Sequence, residues 1–126
     1  MSRRALAVIS SALVASIVGV EAAASAHSFP EQETPSAGAT LTAPPDQVSI
    51  KYDAPIEKLF ASLEVLNSTG QNMAGGQPEV SPDGWKLSVR VNKLVPGEYT
   101  VQWRVVCIDT HHTQGSYSFT VERQNS

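Results

Sequence analysis

Cysteine is almost missing from these 126 residues: Cys107 stands alone, so no intrachain disulfide can form and the fold must rest on its core. Methionine is nearly as scarce, with Met73 the only one beyond the initiator. Charge is low at 17% of residues and slightly acidic, which gives no support to nucleic-acid binding. No apolar run reaches the ~20 residues that a spanning helix needs. The longest, Ala5 to Val20, is rich in Ala and Ser and stops at Glu21. No helical period is visible elsewhere, and there are no internal repeats.

What is present begins with a leader. Arg3 and Arg4 give a positive start, the apolar stretch follows, and Ala24-Ser25-Ala26 has the small residues of a cleavage site. Residues 1–26 therefore read as a signal peptide and 27–126 as one exported domain. Cleavage removes Arg3, Arg4 and Glu21 from nine basic and twelve acidic residues, leaving seven and eleven, a net charge of −4.

From His27 to Pro45 the chain is rich in Pro, Ala, Thr and Ser and reads as an extended stretch crossing the surface before regular pairing starts. A period of two then takes over. Val48, Ile50 and Tyr52 alternate with polar neighbours, as do Leu63 and Val65, then Trp85, Leu87, Val89 and Val91, then Tyr99, Val101, Trp103 and Val105, and last Tyr117, Phe119 and Val121. Turn-forming segments separate these runs, at 53–55, 67–76, 81–84, 96–97 and 109–115. About seven short strands in about 100 residues predict an all-β, two-sheet antiparallel sandwich with Greek-key connections. Trp103 and Cys107 are expected in its core.

Chemistry concentrates at the two ends of the mature chain. Asp109 and His111 continue the parity of Tyr99 to Cys107, which points a carboxylate and an imidazole the same way from backbone positions about 6.5 Å apart. By itself Asp-x-His is a weak motif, better explained as a polar strand end in water. His27 shifts the balance, because cleavage after Ala26 frees its α-amine. The amine and Nδ1 can close a six-membered chelate on one metal. Three nitrogens and one carboxylate oxygen suit Cu(II) in tetragonal geometry, whereas zinc prefers a tetrahedron. His112 has the opposite parity and reads as facing solvent or standing behind the ligands.

The spacing Gly97-x-Tyr99-x-Val101-x-Trp103, Asp109-x-His111, Gly115 and Phe119-x-Val121 resembles the C-terminal signature of the CopC family of periplasmic copper-binding proteins. His27, Thr34-Pro35-x-x-Gly38 and Val48-x-Ile50-x-Tyr52 extend the likeness over nearly the whole mature chain. The resemblance implies an immunoglobulin-like sandwich, with His27, Asp109 and His111 on the family's Cu(II) ligand positions. It also implies copper resistance without catalysis, and a monomer that passes its single ion to an inner-membrane protein of the CopD type. The sequence departs from some members in two places. Ala54 stands before Pro55 where they carry a Glu near the Cu(II), and Met73 alone cannot build their Met-rich Cu(I) site. A Cu(II)-only member is expected. The rival readings are a copper monooxygenase with an N-terminal histidine brace and a plain adhesion or assembly module.

Overall fold

The computed structural model describes residues 28–123, and the leader lies outside them. Eight strands run β1 (Pro30–Thr34), β2 (Thr40–Leu41), β3 (Gln47–Tyr52), β4 (Ser62–Leu66), β5 (Glu79–Val80), β6 (Lys86–Arg90), β7 (Gly97–Val106) and β8 (His112–Val121). They form two four-stranded sheets, β1-β3-β6-β5 and β2-β8-β7-β4. That order is the immunoglobulin-like arrangement. It follows from the period of two: each sheet has one apolar face, and only packing the two faces together removes both from water.

The core is built from those faces. Val48, Ile50, Tyr52, Leu87 and Val89 come from one sheet, and Leu63, Val65, Tyr99, Val101, Trp103, Val105, Tyr117, Phe119 and Val121 from the other. Tyr99 stacks on Phe119 with ring centres 5.6 Å apart, and its hydroxyl donates to the carbonyl of Val95 four residues upstream. This is the tyrosine corner of Greek-key sandwiches. Trp103 is buried and meets Tyr52 edge-on at 5.5 Å. Gly115, opposite Trp103 in the β7–β8 ladder, leaves room for the indole, since a Cβ there would lie 2.7 Å from Trp103 Cζ2.

Three expectations change. The stretch from His27 to Pro45 is not unpaired once it enters the described residues: β1 pairs with β3, and β2 runs parallel to β8, so the chain lines one edge of each sheet. Its polar sequence carries no apolar period because backbone bonds hold it there. Trp85 precedes β6 and is partly exposed rather than buried. Val91 lies just past β6 and is only partly buried.

The hydroxyls of Tyr52 and Tyr117 are buried with no hydrogen-bond partner among the described residues. Burial pushes both phenols well above their ordinary range, and the Glu33 carboxylate adds to the shift. A buried polar group without a partner costs about 1–3 kcal/mol, so removing it relieves a penalty. Tyr117→Phe should therefore keep the fold and raise the melting temperature by a few degrees, at about 4–8 °C per kcal/mol for a domain of this size. Calorimetry of the variant checks this, and a fall in melting temperature would show that the hydroxyl is satisfied.

Candidate metal centre

Strands β7 and β8 pair as far as Val106 and His112. Beyond them the hairpin closes on itself. The Cys107 N–H donates to the His111 carbonyl at 2.7 Å, and the Thr110 N–H donates to the Cys107 carbonyl at 2.8 Å. Ile108, Asp109 and Thr110 are left as a three-residue loop. Such loops commonly consist of a type I turn followed by a residue in the left-handed region, usually glycine. Here Thr110 takes that position at φ 75°, a backbone strain of about 1–3 kcal/mol for a β-branched residue.

The loop brings Asp109 and His111 together. Asp109 Oδ1 accepts the His111 backbone N–H at 3.1 Å, and Oδ2 lies 3.0 Å from His111 Nδ1. The strand-parity argument for this pair does not hold, because β7 ends at Val106 and Asp109 sits in the turn. Local hydrogen bonding of a carboxylate two residues ahead in sequence does the gathering instead. The imidazole is 62% exposed and the carboxylate 29%, so the pair faces outward at the tip of the hairpin.

Next to the hairpin base, the start of the described chain is held firmly. The Ser28 N–H donates to Cys107 Sγ at 2.9 Å. Thr113 Oγ1 donates to the Ser28 carbonyl at 2.9 Å, and Ser28 Oγ donates to the Pro55 carbonyl at 3.1 Å. Ser28 is fully buried as a result. The next residue continues the clasp, with the Phe29 N–H on Asp53 Oδ1 at 2.8 Å and the Asp53 N–H on the Phe29 carbonyl at 2.9 Å. Asp53 thus anchors the chain through both its carboxylate and its backbone N–H. Sequence reasoning missed Ser28, Thr113 and Asp53 in this role, since nothing local marks partners as far apart as these.

The remaining candidates fall in other places. His27 lies outside the described residues. Among the described residues, no three His, Cys, Asp or Glu side chains gather as a group able to hold a metal. As a metal site, Asp109 and His111 would need further donors from outside the described residues. His112 is exposed at the first position of β8. Cys107 is buried and accepts the Ser28 N–H, a packing and anchoring role. Met73 packs partly buried against the core, with its sulfur 3.6 Å from Asn67 Nδ2, and the β4–β5 connection that carries it lies at the opposite end of the sandwich.

The chain resembles known proteins over most of its length. Residues 30–122 match the CopC domain. Protein YobA of Escherichia coli K12 is 29% identical over 122 residues, which cover 95% of this chain and 94% of YobA. Copper resistance protein C of Xanthomonas campestris pv. juglandis is 34% identical over 113 residues, covering 80% and 86% of the two chains. Copper transport protein CutJ of Bacillus subtilis is 28% identical over 98 residues, covering 76% of this chain but 18% of CutJ. The crystal structure of CopC from Methylosinus trichosporium OB3b superposes with a TM-score of 0.70 at 31% identity, covering 79% of this chain and 98% of that one.

Proposed function

Because this chain belongs to the CopC family of copper-resistance proteins, which bind copper and are not enzymes, we propose that its mature form is a periplasmic carrier of one Cu(II) ion. Export removes residues 1–26. The new N-terminus at His27 then supplies its amine and Nδ1, Asp109 a carboxylate oxygen and His111 an imidazole nitrogen. Three nitrogens and one oxygen match the preference of Cu(II) for tetragonal N,O sites.

The observation that carries this reading is the pair Asp109–His111, held 3.0 Å apart on the same hairpin whose base clasps Ser28. Ser28 is bonded directly to His27. The carboxylate and imidazole need little more than side-chain rotation to share one ion. Copper is cargo here, and the protein's own work is to bind and release it. The chain matches a small part of the longer copper transport protein CutJ, and the hand-over in this reading is to an inner-membrane copper protein of the CopD type. The carrier acts as a monomer.

Two measurements on exported protein test this. Intact mass should give a chain starting at His27. Titration with Cu(II), followed by electron paramagnetic resonance, should saturate at one equivalent with a tetragonal signal coupled to nitrogen. A chain starting elsewhere removes the chelate. An absence of tight binding returns the molecule to a plain sandwich module, and ascorbate-driven peroxide formation would favour a copper monooxygenase.

A further inference from the structure

The hairpin tip shares its end of the sandwich with a group of exposed apolar side chains. Leu59 is 69% exposed, Phe60 78% and Ile108 59%, with Trp85 less so, while Val95 stands at the opposite end in the β6–β7 connection. Backbone bonds tie these segments together. The Tyr52 N–H donates to Trp85, the Ile56 N–H to Gly84 and the Glu57 N–H to Val106, and Ile56 bridges Cys107. Leu59 and Phe60 follow Glu57 on the same rim, and Ile108 flanks Asp109 in the loop.

Phe60 is the most informative of them. Its φ of 64° lies in the left-handed region, an unfavourable backbone for a bulky aromatic residue. The fold gains no burial in return, since the ring stays in solvent. Strain that holds an apolar group outward beside a binding site is a feature of recognition surfaces, where a few aromatic or aliphatic anchors carry most of the contact energy. The polar neighbours narrow the occupant. On this end Asp53, Glu57, Asp83 and Asp109 outnumber Lys58 and Lys86, Lys51 is paired with Glu31 at 3.3 Å, and the mature chain is acidic overall. An anionic bilayer surface would repel such a face, whereas a protein with cationic side chains around an apolar centre complements it.

We propose that Leu59, Phe60 and Ile108 form the docking face for the copper-accepting protein, whose contact surface is apolar at its centre and basic at its rim. This rests on the copper-carrier reading. Docking there covers Asp109 and His111, so the ion crosses between the two chains inside a contact from which water is excluded.

The test places p-benzoylphenylalanine at position 60, or at position 95 as the control, in the full chain produced in its own cells with copper added. Light should yield an adduct from position 60 with an integral membrane protein identified by mass spectrometry, and none from position 95. That protein, once purified, should take copper from the loaded carrier. Leu59→Ser and Phe60→Gly should each slow the transfer at least tenfold while Cu(II) affinity stays at the parent value. Phe60→Gly relieves the backbone strain, so it should raise the melting temperature even as it loses docking. Equal adducts from both positions, an adduct with the mass of two carriers, retention on phosphatidylethanolamine–phosphatidylglycerol vesicles, or unaltered transfer by both variants would each overturn the proposal. Failure of the parent to bind Cu(II) sinks the carrier reading itself, and is read separately from the adduct.

Discussion

A Gly-Ser pair added ahead of His27 should lower Cu(II) affinity by roughly a hundredfold or more, about 3 kcal/mol, with no change in any side chain. The extension turns the α-nitrogen into an amide and moves the free amine two residues away, so the six-membered chelate is lost. The magnetic resonance signal should lose nitrogen coupling. Melting of the metal-free protein should be unaltered, because the added residues precede the clasp on Ser28. Protons report on the same atom. A free α-amine titrates at about 7.7–8.0 and must be deprotonated to bind, so copper uptake should release protons and weaken as pH falls below that range. Equal affinity and identical spectra for the extended and parent proteins would remove the amine from the site.

His111→Ala and Asp109→Ala should each weaken Cu(II) binding by about two orders of magnitude or more, comparable to losing one good metal–ligand interaction. Both side chains stand at the exposed tip of the hairpin, so the metal-free variants should stay folded. Asp109→Ala also frees the His111 N–H from its acceptor, and the loop should loosen locally. His112→Ala and Met73→Leu serve as controls with parent affinity, the first on the strand and the second at the far end of the sandwich. Calorimetric titration of the four proteins decides the matter. Loss of binding in His112→Ala with retention in His111→Ala would move the ligand by one residue, and a tight Cu(I) site abolished by Met73→Leu would end the Cu(II)-only reading.

The sandwich was legible where one face of a strand is buried, because burial forces apolar residues onto every second position. Val48, Ile50 and Tyr52, or Tyr99, Val101, Trp103 and Val105, announce themselves in this way. β1 and β2 do not, since edge strands are held by their backbones and their side chains are free to be polar. Trp85 misled because it continues the alternation of Leu87 and Val89 across a strand start that Asp83 and Gly84 had already set. The pairing of Asp109 with His111 was readable as a spacing, but its cause was not, because the parity argument carried the strand on into residues that the turn signal at 109–115 already claimed. The clasp on Ser28 lay wholly beyond reach. Its partners Cys107 and Thr113 are 79 and 85 residues away, and no local pattern records such a bond.

That clasp has a consequence for how tightly the ion is held. An unattached peptide beginning with histidine meets a hairpin only by diffusion, and each encounter forfeits translational freedom. In the proposed copper site, the three hydrogen bonds at Ser28 would make His27, the residue bonded to it, a tethered reagent held within a residue's length of its anchor. Its effective concentration at the hairpin is then set by Cys107, Thr113 and Pro55, none of which touches the metal. In the copper site we propose, affinity is tuned from behind the ligands: natural variation at those three positions can loosen or tighten the hold on copper while every donor atom stays the same.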